Sequence, residues 1–244
     1  MIAKNKKLII LICSVFLGGM VSGLIFQLFV FPLILSSSYF SQFQFVKNFK
    51  DGKVIINTKE EIVVQENSAL EKSIEKVEKS IVGVKSQTGG SVLSGSGLII
   101  TADGLIATLA ELAPVGASVK VFLDGEEITS QVVKRDQKNN LVLLKIEKTN
   151  LSTCAFSDFD KLKLGKRVFL LGVLPPLLKE KVANEGIIKT FSEDAIKTNI
   201  FESNSMRGSS LFNIEAELIG LNAIDSSGKV ISIPASKIKS LAGF

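Results

Sequence analysis

The hydrophobic pattern begins with one long apolar run near the amino terminus. Residues 8–35 contain no charged side chain, and they follow a basic stub, residues 1–7, with lysines at positions 4, 6 and 7. At about 1.5 Å per residue, roughly 28 helical positions reach about 42 Å, more than the roughly 30 Å core of a bilayer. A cleaved signal peptide has a shorter apolar core, so the run predicts an uncleaved, single-pass signal anchor. The lysines predict a cytoplasmic amino terminus and an extracytoplasmic remainder.

The pattern changes after this run and predicts a juxtamembrane linker over residues 36–66. Aromatic residues crowd positions 39–49, which is typical of a segment at the bilayer interface. Residues 53–65 alternate apolar with polar side chains, as a linker or an edge strand does. Ser68 and Glu71 have the spacing of a capping box, and Leu70, Ile74 and Val77 recur at helical spacing. We therefore expect a short helix to begin at Ser68 and lead into a folded domain.

From Ile81 onward, short β-rich runs alternate with turns. Asp103-Gly104, Asp124-Gly125 and Ser227-Gly228 carry turn signals between some of these runs. This pattern predicts an all-β barrel or sandwich. The clearest runs are residues 98–100, 119–123, 141–146, 168–171 and 218–221.

Composition excludes several classes of site. The chain has no histidine and two cysteines, Cys13 and Cys154, so zinc sites built on histidine or on four thiolates cannot form, and we expect no metal and no cofactor. Cys13 lies in the apolar run, so an internal disulfide is not expected. Three charges of the net +5 belong to the stub, which leaves about +2 for residues 8–244. No basic stripe with interleaved aromatics appears, and the sequence therefore predicts no nucleic-acid partner.

Five motifs stand out in the β-rich part of the chain. They are GSGLIITADG at 95–104, KRDQKNNLVLLKI at 134–146, SDFDKLKLG at 157–165, LIGLNA at 218–223 and IPAS at 233–236. In order and spacing they resemble the trypsin-like protease domain of the bacterial HtrA (DegP/DegS-like) family, over roughly residues 75–244. The resemblance implies an all-β domain, residues 67–244, with two six-stranded barrels at about residues 80–150 and 158–240.

The catalytic positions depart from that family at every member of its triad. An ungapped match places Glu111 where the family has its general-base histidine, and Asn140 where it has the orienting aspartate. Arg207 occupies the position of the nucleophilic serine, and Ser205 that of a glycine whose backbone helps to form the oxyanion hole. A serine needs a neighbouring base to attack a carbonyl, so the residues predict a pseudoprotease with no catalytic residue. Glu111 and Arg207 are expected to be close enough for an ion pair.

A divergent serine endopeptidase, acting in envelope protein quality control, is the alternative. Ser209 and Ser210 follow the nucleophile position closely, and a lysine could replace histidine as the base. Serines in such a turn more often bond to local backbone, which favours the pseudoprotease.

The resemblance also indicates where partners bind. The family holds substrate peptide along an edge strand, which matches Asn222, Ala223, Ile224 and Asp225 here, and strand addition depends on backbone groups rather than on a triad. We therefore expect a polypeptide or protein partner, besides the membrane. Aromatic residues near the amino terminus help HtrA-type proteases to trimerise, so a homo-oligomer or an association with an active homologue is a further expectation. The sequence ends soon after residues 233–236, and we expect no PDZ module after them.

Overall fold

The computed structural model describes residues 2–37, 39–40, 59–174 and 179–244. Residues 41–58, which hold most of the predicted juxtamembrane linker and its aromatic cluster, lie outside the described residues. The chain divides into two compact units, Met1–Glu60 and Glu61–Phe244. The α-helices of the described residues are α1 (Ile2–Ile25), α2 (Phe31–Ser36), α3 (Lys59–Val77) and α4 (Ala235–Ala242).

In the first unit, α1 continues into α2 through a π-helical turn, Phe26–Val30. The N–H of Phe31 donates to the carbonyl of Phe26, five residues earlier. Pro32, at the start of α2, has no N–H, and its ring crowds the carbonyl four residues before it. The wider turn accommodates the proline without ending the helical path.

This helical segment carries the apolar surface that the sequence predicts. Among the described residues, one stretch, Ser14–Ile34, is long and apolar enough to cross a bilayer, with a mean hydropathy of 2.0. None of it is buried against protein. An apolar helix near the amino terminus is therefore present.

Helix α3 begins earlier than the sequence analysis predicted. It starts at Lys59, so Ser68 lies inside the helix and does not cap it, and the alternative of an edge strand over residues 53–65 is wrong from Lys59 onward. At the other end of α3, Val77 is buried, and the hydroxyl of Ser73 donates to the carbonyl of Ile214 at 2.5 Å.

The first seven strands form one antiparallel barrel. The sheet order is β5-β4-β1-β2-β3-β7-β6, and β5 and β6 are separated only by Ser130. The segment 126–136 therefore acts as one bent strand that pairs with β4 through its first half and with β7 through its second half, which closes a barrel of six strands. The strands are β1 (Ile81–Thr88), β2 (Ser91–Ile99), β3 (Leu105–Leu109), β4 (Ser118–Leu123), β5 (Glu126–Thr129), β6 (Gln131–Asp136) and β7 (Leu141–Lys145).

The remaining strands form a second barrel. Its order is β12-β9-β10-β11-β14-β13-β8, and β12 also pairs with β13, so six antiparallel strands close on themselves. The two-residue β8 adds to β13 in parallel. The predicted fold class, two six-stranded β-barrels after an amino-terminal helix, is confirmed. The strands are β8 (Ala155–Phe156), β9 (Arg167–Val173), β10 (Lys181–Phe191), β11 (Ile196–Phe201), β12 (Ser210–Asn213), β13 (Glu217–Ile224) and β14 (Lys229–Pro234).

Three apolar clusters hold the second unit together, one inside each barrel and one between them. The barrel interiors are lined by alternate residues such as Val82 and Val84 of β1, since successive side chains of a strand point to opposite faces. Between the barrels, the rings of Phe169 and Phe212 stack with centroids 5.4 Å apart. Each fully buried side chain of this size contributes about 1.5–3 kcal/mol. The barrels are thereby fixed against each other, and a cleft lies along their junction.

Candidate functional site

A short loop before β12 links both barrels. It contains a 3₁₀ turn, Asn204–Met206, followed by Arg207 and Gly208. The N–H of Gly208 donates to the carbonyl of Asn222 in β13 at 2.8 Å, and the N–H of Ser96 in β2 donates to the carbonyl of Arg207 at 2.9 Å. Gly208 has φ +77°, and a Cβ there would come within 2.1 Å of the carbonyl oxygen of Ser96. Only glycine fits this close approach.

Ser96 is a site residue that the sequence analysis treated only as framework. Besides its bond to Arg207, its hydroxyl accepts the N–H of Val173 in β9 at 2.8 Å, and its carbonyl accepts the hydroxyl of Thr108 at 2.7 Å. A Cβ at the preceding Gly95 would lie 2.5 Å from the carbonyl oxygen of Arg207. The Gly-Ser-Gly motif is thus shaped by the loop that it supports. The two glycines of this motif were the only signal in the sequence of a close backbone contact here. The contacting residue, Arg207, is over 100 residues away in the chain, so the sequence did not identify it.

The structure brings together the three residues that the sequence places at the triad positions. Glu111 lies in a 3₁₀ turn after β3, Asn140 just before β7 and Arg207 before β12. The Oδ1 of Asn140 accepts the backbone N–H of Glu111 at 3.0 Å. The Nε of Arg207 lies 3.7 Å from Oε1 of Glu111, so the expected ion pair is present. A guanidinium and a carboxylate in contact neutralise each other and supply neither a nucleophile nor a free base.

Asn140 is held by the turn that precedes β7. Its φ is +53°, a conformation that asparagine tolerates better than most residues, and its carbonyl accepts the N–H of Ala110 at 3.0 Å. Earlier in the same turn, the carboxylate of Asp136 accepts the side-chain N–H of Asn139 at 2.5 Å and its backbone N–H at 3.1 Å. These two hydrogen bonds hold the pKa of Asp136 below its ordinary value. Asn140 is therefore positioned by its own backbone bond to Ala110 and by a turn in which the carboxylate of Asp136 holds the neighbouring Asn139.

The backbone around Arg207 has no outward pair of donors. The N–H of Arg207 donates to the carbonyl of Asn204 at 3.3 Å, and the N–H of Met206 donates to the carbonyl of Ser203 at 3.0 Å. Ser205 is not among the described residues with positive φ. The 3₁₀ turn thus directs the N–H at the nucleophile position toward its own loop, away from any substrate carbonyl.

Comparison with known proteins agrees with this architecture. A family model described as a trypsin-like peptidase domain matches residues 88–221, more than half of the chain. The chain belongs to the trypsin-like peptidase domain family. Among solved structures, that of a serine endoprotease from Yersinia pestis superposes with a TM-score of 0.65, covering 71% of this chain and 65% of that one at 21% identity. At that identity the likeness shows the fold alone.

The curated relatives of this trypsin-like domain are HtrA-type proteins. A probable periplasmic serine endoprotease DegP-like of Halomonas elongata is 33% identical over 108 residues, which cover 41% of this chain and 22% of the relative. The periplasmic pH-dependent serine endoprotease DegQ of Escherichia coli is 28% identical over 135 residues, covering 49% and 29%. A do/HhoA-like serine protease of Haemophilus influenzae is 27% identical over 135 residues, covering 48% and 28%. The matches span less than a third of each relative's length.

The two serines considered as nucleophiles of this trypsin-like domain are both buried. Ser209 and Ser210 have 0% exposure. The hydroxyl of Ser209 accepts from the side-chain amide of Asn222 at 3.0 Å, and Asn222 in turn accepts from the hydroxyl of Ser232. The hydroxyl of Ser210 has no hydrogen-bond partner among the described residues. In this conformation neither hydroxyl is accessible to a substrate.

The predicted peptide-binding strand lies at the end of β13. The N–H of Asn222 donates to the carbonyl of Ser209 and its carbonyl accepts from Gly208, both at 2.8 Å. Because backbone groups of alternate residues face the same side of an antiparallel strand, Ile224 directs its N–H and C=O to that side too. The pairing with the loop stops at Asn222. Ile224 is therefore the backbone position of β13 that an added strand would meet.

Outside this loop, we considered Cys154 as a nucleophile and clusters of side chains as metal ligands. Burial raises the pKa of the Cys154 thiol to about 12, so this side chain stays protonated and unreactive at neutral pH. Among the described residues, no group of three or more histidine, cysteine, aspartate or glutamate side chains is arranged to hold a metal ion.

Proposed function

We propose that this protein is a membrane-anchored, noncatalytic member of the trypsin-like family whose extracytoplasmic barrels bind polypeptide, as a scaffolding or regulatory module. The observation that carries the proposal is that Arg207 lies 3.7 Å from Glu111. By the sequence resemblance, these two residues stand where an active HtrA-type protease has its serine and its histidine. In a protease of another fold, loss of a triad lowers turnover about 10⁶-fold. No histidine exists anywhere in the sequence to replace the base.

Labelling by a fluorophosphonate tests the noncatalytic part. The full-length chain in detergent is treated with the probe beside an active HtrA-type protease, and adducts are located by mass spectrometry. We expect labelling of the active protease alone, because Ser209 and Ser210 are both buried and the sequence has no histidine to activate a serine. An adduct on Ser209 or Ser210 would overturn the proposal and identify the divergent endopeptidase.

The open side of β13 supports polypeptide binding. Strand addition uses backbone N–H and C=O groups, and the register of β12 with β13 ends at Leu221, with Gly208 and Ser209 pairing only as far as Asn222, so an added strand would continue at Ile224. Asp225 follows directly and is partly exposed, so a photocrosslinking residue at that position would meet a bound chain. We expect Asp225 to crosslink to polypeptide in native membranes, whereas the same group at exposed Lys72 of α3 serves as the control. Equal crosslinking at both positions would contradict a binding strand.

The apolar helix supports the anchor. None of Ser14–Ile34 is buried against protein, and in water this exposure would be unfavourable for its large apolar side chains. Lysines 4, 6 and 7 favour a cytoplasmic amino terminus. We expect the chain to stay in membranes after alkaline carbonate extraction, and a protease added outside the membrane to reach the barrels. Release by carbonate would refute the anchor, and protection of the barrels would refute the orientation.

A further inference from the structure

Two clefts meet on the outer face of the second barrel, beside Asn140. One lies along the barrel junction with a volume of about 370 Å³, and the other lies over β10, β11 and β14 with about 270 Å³. Ile231 lines both. The strand register places Ala223 opposite Ile231, and Ile231 opposite Lys197. The two clefts thus form one surface that begins at the predicted peptide-binding strand.

The junction cleft carries two lysines and one aspartate. The Nζ of Lys237 lies 2.7 Å from Oδ1 of Asp194 and also donates to Oδ1 of Asn139 at 2.9 Å. Lys237 lowers the pKa of Asp194, which keeps that carboxylate ionised. Lys138 lines the same cleft and has no ion pair within 4 Å among the described residues. Lys138 also interacts through space with the carboxylates of Asp194 and Asp136, and the lining of this cleft, two lysines and Asp194, has a net charge of about +1.

The second cleft carries three lysines and one aspartate. A single oxygen of Asp225 accepts three hydrogen bonds at 2.7–2.9 Å, from the hydroxyl and N–H of Ser227 and from the N–H of Lys229. This carboxylate is engaged by its own turn. Lys189, Lys197 and Lys229 form no ion pair within 4 Å in the part of the chain that the structure describes. Lys229 interacts with the carboxylate of Asp225 only through space, and the cleft as a whole carries three lysines against that one carboxylate.

We propose that these five lysines form a basic face that binds an acidic polypeptide segment. The basic face consists of Lys138, Lys189, Lys197, Lys229 and Lys237. Half-buried Ile231 and Ala223 lie between its two halves, so the segment that fits has acidic residues on either side of a small apolar one. This inference rests on the proposed peptide binding and specifies its ligand. The basic face concentrates positive charge, since residues 8–244 as a whole carry a net charge of only about +2.

Fluorescence anisotropy with two labelled peptides tests the basic face on the full-length chain in detergent. One peptide of about a dozen residues alternates glutamate with valine and alanine, and the other has glutamine in place of glutamate. The double variant Lys197→Gln, Lys229→Gln removes two charges from the face. Lys72→Gln with Lys76→Gln removes two exposed charges from α3, which line neither cleft, and is the matched control.

We expect the acidic peptide to bind more tightly than the glutamine peptide, and more weakly as salt is added. The basic-face variant should bind it about fivefold more weakly, since two exposed charge pairs each contribute a modest amount, and the α3 variant should bind as the parent does. Equal binding of both peptides, unchanged by the variants, overturns the acidic specificity while peptide binding stands. Equal weakening by both variants overturns the basic face as the site. Failure of both peptides to bind removes the proposed peptide binding and this inference with it.

Discussion

Arg207 Nε lies 3.7 Å from Oε1 of Glu111, on opposite sides of the junction between the two barrels. Arg207 reaches across from the loop before β12 of the second barrel, and Glu111 follows β3 of the first. Their side chains are 34% and 40% exposed, although Arg207 Nε itself is buried and has no hydrogen-bond partner among the described residues, so solvent screens the attraction only in part. The sequence analysis predicts that these two residues occupy the positions of the nucleophile and the base of an active protease of this family.

Removing the charge of Glu111 should cost little stability. We expect Glu111→Gln to lower the free energy of unfolding by less than about 1 kcal/mol, because exposed ion pairs contribute between zero and that amount. Thermal unfolding of the full chain in detergent, followed by circular dichroism, measures the change. A loss of several kcal/mol would mean that the pair is effectively buried and structural.

Restoring the three triad side chains alone should not restore a protease. In the triple variant Glu111→His, Asn140→Asp, Arg207→Ser, the N–H at position 207 still donates to the carbonyl of Asn204, and Ser205 still lacks the freedom of glycine. We expect no fluorophosphonate labelling above background. Adding Ser205→Gly is expected to give the first detectable labelling. Labelling of the triple variant at the rate of an active protease would show that the loop reforms unaided.

Gly208 should be among the most sensitive positions of the loop. Gly208→Ala places a Cβ 2.1 Å from the carbonyl oxygen of Ser96 at φ +77°, and should cost at least about 3 kcal/mol of unfolding free energy. Gly116→Ala is the control, because φ is +79° there but nothing lies within 4 Å of its Cβ. It should cost about 1 kcal/mol. Equal losses at the two sites would contradict the close approach of loop and barrel.

Asn222 should stabilise the second barrel through its side chain. Asn222→Ala leaves the buried hydroxyls of Ser209 and Ser232 without their shared partner, at a cost of about 2–4 kcal/mol. Asn204→Ala removes an exposed amide that accepts from Arg207 at 3.1 Å, and should cost less than about 1 kcal/mol. Chemical denaturation compares the two variants. Similar losses would mean that the buried network contributes nothing specific.

Acid should loosen the turn that holds Asn140. The pKa of Asp136 is lowered from 3.8 by the side-chain and backbone hydrogen bonds of Asn139, so its stabilising effect is present above that value and is lost as pH falls through the lower, folded pKa. We expect the melting temperature of the parent to fall more steeply below pH 4 than that of Asp136→Asn. The other carboxylates are the same in both proteins, so the difference between the two curves of melting temperature against pH reports the contribution of Asp136 alone. Parallel curves would show that Asp136 contributes nothing to acid stability.

Much of the fold follows from local pattern. The apolar run, the short strands and the Gly-containing turns are each set by neighbouring residues, and Gly104, Gly125 and Gly228 all have positive φ where the sequence placed turns. The start of α3 was the main error. A capping-box spacing at Ser68 cannot exclude a helix that already continues from Lys59, because the same residues also have adequate helix propensity.

The sequence by itself determined that no histidine is present and, through its resemblance to the HtrA family, predicted Glu111, Asn140 and Arg207 at the triad positions, because residue identity alone decides which groups can donate or accept a proton. Only the tertiary structure decided that these three meet, that Ser209 and Ser210 are buried and that five lysines share one face. Each of those relationships joins residues from separate strands, often from different barrels. Burial and distance across a closed barrel depend on register and packing, which no local pattern encodes.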